Sequence, residues 1–574
     1  MVSKLFDRGA AIALATLVFY IWLAPDYIVD GDNAEMAALG VTGGVAHPTG
    51  YPLFVLWLRV TRWLPGSTPA HTAAIATAIL GAASILVLHA ACRAWGAKPA
   101  AASIACALVA TAPVVLRMST EAEVFALNDL VVATVLWLAA TDGPLRGFRR
   151  AGALGLVAGL GIANHLTCVL VAPVGIYGIV MAWREAKPAV IAVALAGLAI
   201  GLAPYLYMFV APISRQSWMT VSSFDDFIAM ITRRAYGGIG AFASTGENHG
   251  GENELALMAT LARSFLWLPL VAAGYAFVVR IRDRATRWAW LALAASFVAV
   301  GPLLVSGFNM ITVGVSGYVV RRFYIISVVV LAVPVAVGLG MIGAKLVTRA
   351  GRLGSARAAD ALSIGVFAIA ASLALPSIVR AHSPAVSRGV ENMLRSMPEG
   401  AAIITAYDDL YCGSNYLQAA EGLRPDVRVL TPAIDGDTLA RHGVAPIDEI
   451  ASIPPGPQLA RALMMKRVPV FVDPSRTDVL TVYPSYPYGT LMRVLPPGTA
   501  LPSLDEMTAI NTKVYEAFVI DYSIPSTSDD FASFAQRRYA DPWVYIGGKL
   551  DAAGRKGDAQ RSYAIAAAVG PTDD

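Results

Sequence analysis

Charge is scarce in this chain. Only 15% of its 574 residues are Asp, Glu, Lys or Arg, against about 25% in an ordinary soluble protein. Hydrophobic residues make up 56%. So little charge cannot solvate a soluble fold of this length, which leaves a polytopic membrane protein with room for one soluble domain. Cysteine is sparse too. Of the four, Cys92, Cys106 and Cys168 lie in apolar runs, and Cys412 has no partner in its own region. Neither a disulfide framework nor a zinc site follows. No basic-aromatic run is present, which argues against nucleic-acid binding. Walker-type loops, a dinucleotide fingerprint and HExxH are all missing, so an ATP-driven pump and zinc hydrolysis are unsupported.

What the chain has in abundance is apolar runs. Those near 8–25, 71–92, 99–117, 124–140, 151–164, 166–183, 188–211, 258–279, 288–307, 319–343 and 361–380 read as about eleven transmembrane helices, on the basis that a crossing needs roughly 20 apolar residues. The first has a basic flank and no small-residue cleavage site, so it reads as an uncleaved helix. The segment 151–183 decides the parity. Taken as two short crossings around Asn164-His165, it puts basic loops such as Arg146, Arg149 and Arg150, and Arg280, Arg282, Arg284 and Arg287, on one side. The positive-inside rule makes that side cytoplasmic, with the N-terminus inside and the C-terminus outside. The run 53–64 is apolar but short, and reads as interfacial or re-entrant. The extracytoplasmic face then collects the acidic first loop, Glu121 and Glu123, Asn164-His165, the loop 212–257 and everything after Arg380.

Beyond residue 380 the apolar runs shorten. Strands at 401–405, 427–430 and 468–472, alternating with helices at 387–396, 410–421 and 457–466, predict an extracytoplasmic α/β domain over 381–540. Residues 541–574 read as a tetratricopeptide-like helical hairpin with Gly557-Asp558 at its turn. The membrane part, 1–380, carries the candidate chemistry.

That chemistry concentrates in the stretch 30–52, DGDNAEMAALGVTGGVAHPTGYP. Asp30, Asp32 and Glu35 lie together at a membrane surface, where desolvating a carboxylate is expensive. His47 and a rigid turn containing Tyr51 follow. Asp32 also fits as the N-cap of a helix over 33–40, with Glu35 at the third position. Arg117, Arg215, Arg233, Arg234, Arg321 and Arg322 fall near the same face. They run against the positive-inside trend and need local partners. Arginine binds phosphate through paired hydrogen bonds. A carboxylate that takes a proton from an acceptor hydroxyl, beside an arginine that stabilises a departing phosphate, suits group transfer from a lipid phosphate donor. Plainer readings stand beside these: Glu123 as a helix first-turn acid, Arg321 and Arg322 snorkelling to the interface, and Asp225 and Asp226 as structural partners of Arg233 and Arg234.

The segment 32–36 (DNAEM), followed by 39–54 (LGVTGGVAHPTGYPLF), resembles the acidic first-loop signature of the protein O-mannosyltransferase-like integral membrane family. That family belongs to the GT-C class of polyprenyl-phosphate-sugar-dependent glycosyltransferases. Further matches follow in order at 121–128, 161–167, 227–237, 321–324, 416–418 and 424–427. Ala34 and Thr49 depart from the family's usual Gly and Pro. The resemblance implies a GT-C fold and inverting transfer of a sugar, mannose being favoured, from polyprenyl phosphate to a hydroxyl of a protein, glycan or lipid. It implies Asp32 as the base, Glu35 as a neighbour positioning the acceptor or a metal, and Glu123 as an assisting acid. His47, Tyr51 and His165 would contact acceptor or phosphate, and Arg233, Arg234, Arg321 and Arg322 the donor phosphate. A divalent cation is compatible with these acids, though their spacing indicates none firmly. A bacterial inner membrane is the expected location. Two other functions compete. A transporter or flippase of lipid-linked sugars calls for mid-span charges and inverted repeats, which are not evident. A non-enzymatic envelope assembly factor leaves the outer carboxylates unexplained.

Overall fold

The computed structural model describes residues 2–238, 247–350, 356–431, 455–528 and 530–572. The membrane part begins with α1 (Val2–Leu23), α2 (Gly31–Thr42), α3 (Pro52–Thr61), α4 (Pro69–Ala94), α5 (Pro99–Ala110), α6 (Pro113–Thr120) and α7 (Phe125–Ala139). It continues through α8 (Gly147–Ile162), α9 (Ala172–Ala186), α10 (Ala189–Gly201), α11 (Phe224–Ile231), α12 (Gly250–Phe265) and α13 (Leu268–Arg282). It closes with α14 (Arg287–Val298), α15 (Gly314–Arg321), α16 (Ile325–Ala350) and α17 (Ala356–Ala381). Among the described residues five helical runs are long and apolar enough to cross a membrane. The number is seven if α5–α6, bent by 66°, and α12–α13, bent by 102°, each form one crossing. The chain is a multi-pass membrane protein. The apolar runs near 124–140 and 288–307 fold as helices below that length.

The breaks have covalent causes. Pro113 opens α6, and its ring holds Ala112 extended (ψ 127°), which stops α5 and swings α6 aside. Between α8 and α9 the polar pair Asn164-His165 precedes a short 3-10 turn, Leu166–Val171. Helices α8 and α10 meet through glycines. A Cβ on Gly159 would lie 2.4 Å from the Leu198 carbonyl oxygen, and one on Gly201 2.3 Å from that of Leu156. Such backbone contact is how helices associate where apolar burial gives no drive.

After α18 (Ala385–Ser396) the chain forms β1 (Ala402–Ile404), α19 (Asp408–Ala420), β2 (Arg428–Leu430), α20 (Pro455–Met465), β3 (Val470–Val472), β4 (Ser485–Tyr488) and β5 (Leu491–Val494). The sheet order is β2-β1-β3-β5-β4. Strand β1 pairs in parallel with β2 and β3, and β5 is antiparallel to β3 and β4. The first three strands fall on the apolar runs read from the sequence. The β4–β5 hairpin does not. Pro487 interrupts its pattern, and the fold tolerates it because β4 is an edge strand. Helices α21 (Leu504–Glu516), α22 (Asp530–Ala552) and α23 (Lys556–Val569) complete the chain. The closing turn lies at 553–555, not at Gly557-Asp558, because Gly554 (φ +79°) supplies the left-handed cap that ends α22.

The C-terminal domain sits directly on the membrane part. Gln216 donates to the Asn415 carbonyl (3.2 Å), the Ala70 N–H to the Tyr416 hydroxyl (3.1 Å), and Phe531 meets the Tyr318 ring edge-on at 5.1 Å. Buried Asp409, in the first turn of α19, pairs with buried Arg538 of α22 at 2.7 Å. Arg538 also covers the rings of Tyr407 and Phe534. Breaking a buried pair by removing one partner costs about 3–5 kcal/mol. Arg538→Ala is therefore expected to lower the thermal midpoint clearly, and a midpoint within a degree of wild type would show the pair to be dispensable.

Candidate active site

Asp30, not Asp32, caps α2. Its carboxylate accepts the Asn33 N–H at 2.7 Å, and the Asn33 side chain accepts the Val29 N–H at 3.1 Å. The helix starts two residues earlier than the capping pattern predicts, so the Asp32 side chain is released from backbone duty. Gly43 (φ +73°) and Gly44 (φ +125°) then turn the chain back on the helix. His47 returns to Glu35, donating its backbone N–H at 2.9 Å and placing Nδ1 2.5 Å from the other carboxylate oxygen. Its ring is 3.9 Å from Asp32.

Two remote segments complete the cluster. The bend before Pro113 delivers Arg117, Glu121 and Glu123, and α15 delivers Tyr318, Arg321 and Arg322. Arg322 Nη1 lies 2.5 Å from Asp32 and 3.0 Å from Glu123. Behind this pair, Tyr318 donates its hydroxyl to Asp30. Arg117 lies over the Tyr318 ring at 4.1 Å and donates to Glu121 at 2.9 Å, with His382 3.4 Å from the same carboxylate.

The acids differ in exposure and in proton affinity. The Asp32 side chain keeps 28% of its surface, against 6% for Glu35 and 3% for Glu123, so Asp32 is the one of the three open to an incoming molecule. Burial works against its ionisation, but Arg322 and then His47 hold its carboxyl below the usual range. Burial pushes Glu123 up to about 8 despite Arg322, helped by Asp32 and Asp30. Burial and the charge of Glu121 raise Asp30 to about 6. Glu121 is held low against burial, chiefly by Arg117. Against burial, Glu35 and Asp32 raise His47 to about 9. Near neutral pH the site therefore holds an ionised Asp32, a protonated Glu123 and a cationic His47. Two neighbouring carboxyls pushed apart in this way mark acid and base roles.

His47 also gives a pH signature. Its affinity is raised from 6.5 to about 9 on folding. The stabilisation is thus fully present below about pH 6.5 and is lost as pH rises through about 9. The thermal midpoint of wild type is expected to fall over that window by more than that of His47→Gln. Parallel curves would remove the His47–Glu35 pair from the account.

The remaining candidates separate. Tyr51, at φ +41°, stacks on His165 at 5.8 Å and meets His47 edge-on at 5.0 Å. Burial keeps its hydroxyl protonated. His165 bonds Thr167 at 2.7 Å and packs against Phe125 and Phe323. Burial, then Arg233 and Arg322, press it down to about 3, so it is a neutral wall and not a cation. Arg233 covers the Tyr236 ring at 5.2 Å, and its charge acts on Asp32. Arg234 points the other way. It forms a two-pronged pair with Asp225 at 3.0 and 3.1 Å on the exposed surface, which takes it out of the donor-phosphate set. Asp226 caps α11 with Ser223. Arg321 donates to the Thr312 carbonyl at 3.1 Å. It also lines a cavity of about 610 Å3 with Arg117, Arg263, Arg322 and Arg380, whose lining also includes Trp267, Leu373 and Ile378. Asp32, Glu35 and His47 offer ligand atoms within 4.8 Å of one another, a spacing that suits a divalent cation once His47 gives up its Nδ1 proton.

Residues 32–190 match the family described as the protein O-mannosyl-transferase TMEM260 N-terminal domain. The protein O-mannosyl-transferase TMEM260 of Mus musculus is 26% identical over 460 residues, covering 74% of this chain and 62% of the mouse protein. Its counterpart in Dictyostelium discoideum is 22% identical over 253 residues, 40% of this chain and 31% of the relative. The matched region thus spans 62% of the mouse relative and 31% of the Dictyostelium one, under two thirds of either. The solved structure of ArnT from Cupriavidus metallidurans bound to undecaprenyl phosphate shares the fold, with a TM-score of 0.50 at 13% identity, over 86% of this chain and 98% of that one. The family resemblance carried by the first loop, and the GT-C fold it implies, are borne out.

The TMEM260-type segment contains Asp32, Glu35, His47, Tyr51, Glu123 and His165 but ends before the arginines of α15. Sequence reasoning left Asp30 and Arg117 without a site role and did not single out Tyr318. The four-residue spacing of Arg117 and Glu121 on a helix is a readable signal. Tyr318, one aromatic in an apolar run, gives none.

Proposed function

We propose that the chain is a membrane glycosyltransferase. It moves a sugar, with mannose the first candidate, from a polyprenyl phosphate to a protein Ser or Thr hydroxyl, with inversion, on the extracytoplasmic face. The observation that carries this reading is Arg322. It is shared by Asp32, the accessible carboxylate, and Glu123, and it lines a cavity whose lining combines several arginines with apolar residues.

In the resting pair Arg322 neutralises Asp32 and keeps it a poor base. A donor phosphate draws the guanidinium toward itself, since arginine pairs with phosphate as readily as with carboxylate. Asp32 then loses its counter-charge and gains proton affinity. It removes the proton from the acceptor hydroxyl. The acceptor oxygen attacks the anomeric carbon opposite the phosphate, the carbon–oxygen bond to phosphate breaks, and its electron pair leaves with the polyprenyl phosphate. Arg322, with Arg117 and Arg321 nearby, stabilises that anion. The apolar wall suits the prenyl chain, and the stacked Tyr51 and His165 offer the sugar a flat, uncharged face.

The test is transfer by purified protein in nanodiscs, with radiolabelled polyprenyl-phosphate-mannose and Ser/Thr peptides. Label on the peptide with inverted configuration is the expected result. Retained configuration would refute the single-displacement step. Passage of labelled lipid across liposomes without any transfer, from mannose or other lipid-linked sugars, would put a transporter in its place.

A further inference from the structure

Strands β1, β2 and β3 are parallel, and the chain leaves β1 for β2 on one side and returns to β3 on the other. At such a switch the crevice beyond the carboxyl ends of the strands is where open α/β sheets hold ligands. The segment that leaves β1 into this crevice ends at Asp408, the first residue of α19. It is pressed onto the first-loop helix. A Cβ on Gly31 would lie 2.9 Å from both the carbonyl carbon and the Cβ of Asp408. Asp408 therefore abuts the residue before Asp32.

The two acids that open α19 have opposite fates. Asp409 is buried and paired with Arg538. Asp408 is exposed, and among the described residues no hydrogen bond or ion pair engages its side chain. Desolvation and the charge of Asp32 push its carboxyl up to about 6. The Tyr236 hydroxyl feels the charges of Glu35, Asp32 and Asp408. This carboxylate of Asp408 is repelled by Asp32, Asp409 and Glu35 and attracted by His47, and burial and repulsion outweigh that attraction.

We propose that Asp408 is the acceptor-binding residue of the transfer reaction. Its carboxylate accepts a hydrogen bond from the backbone N–H beside a Ser or Thr hydroxyl and so holds that hydroxyl over Asp32. The reactive centre is then composite, with the membrane part supplying base and phosphate site and the C-terminal domain supplying the grip on a polypeptide. The assignment rests on the glycosyltransferase reading.

The experiment uses full-length protein in nanodiscs, polyprenyl-phosphate-mannose, and a Ser/Thr peptide with its analogue N-methylated at the reacting residue. Losing a hydrogen bond to a charged group raises KM roughly ten- to hundredfold. Asp408→Ala is expected to raise the peptide KM by that factor, with donor KM, slow donor hydrolysis by water and thermal midpoint unchanged. Asp408→Asn, whose amide oxygen still accepts, is expected to recover part of the loss. N-methylation is expected to raise the KM of wild type and leave that of Asp408→Ala unaltered, as a shared contact requires. An unchanged peptide KM in Asp408→Ala, or a joint fall of hydrolysis, kcat and thermal midpoint, overturns the assignment while leaving the glycosyltransferase standing. Wild type that neither transfers to any acceptor nor hydrolyses donor overturns the underlying reading instead.

Discussion

Asp32→Asn is expected to lower the rate of sugar transfer by roughly a thousandfold, within the span that a positioned general base contributes. The size follows from what the substitution keeps. The amide oxygen still accepts from Arg322, so the bridge from α15 to α2 survives, and the side chain keeps its shape. Only the capacity to take a proton is lost. Removing the Asp32 charge also relieves Glu123, whose proton affinity that charge helps to raise. Glu123 can then ionise and keep Arg322 paired. The variant should insert, fold and bind donor about as well as wild type, because Arg322 still faces a single ionised carboxylate. Measured kcat and donor KM separate these terms. Glu123→Gln is the contrast: its carboxyl is already protonated near neutral pH, so a loss of only about tenfold or less is expected, small on the general-base scale. A mild Asp32→Asn beside a severe Glu123→Gln would exchange the two roles.

The first loop was legible because its information is local. An acid cluster, two glycines and a histidine within a short stretch need only one helical turn and one reversal to meet. Even there the choice between Asp30 and Asp32 as cap turned on two residues of helix start, a level of detail at which capping preference does not discriminate. The partners were not legible. Arg322 pairs with Asp32 across 290 positions of sequence, and Arg321 and Arg322 read alike until α15 turns one toward the Thr312 carbonyl and the other toward the acids. Arg233 and Arg234 separate for a similar reason: Arg233 is in the left-handed region (φ +57°) and so sends Arg234 outward to Asp225. The sheet strands with continuous apolar runs showed in the sequence, whereas the Pro487 hairpin and the seating of α19 on α2 depend on long-range contacts that no local pattern encodes.

Arg322→Ala is expected to do the most damage, because it removes stability and chemistry together. Arg322 is nearly buried, and Asp32 and Glu123 meet through it, with Asp30 and Glu121 close behind. Removing one partner of such a group costs about 3–5 kcal/mol, most of it for stranding the charges left behind. The loss of phosphate stabilisation adds a rate effect of roughly two to three orders of magnitude. The remedies differ for the two losses. Asp32→Asn in the Arg322→Ala background deletes the stranded carboxylate and is expected to restore part of the thermal midpoint and none of the transfer. Arg322→Lys restores the charge but not the planar fork, and a point donor cannot serve two carboxylates and a phosphate at once. It is expected to recover most of the stability and little of the activity. The pH dependence has a definite sign. Without the guanidinium that lowers it, Asp32 joins Glu123 as a carboxyl raised on folding, and such groups favour the folded state below their unfolded values and oppose it as pH rises through the folded ones. The midpoint of Arg322→Ala, measured at pH 5 and pH 8, should therefore lie closest to wild type at pH 5. A deficit of equal size at both pH values would mean that lost packing, not stranded charge, is what Arg322 prevents.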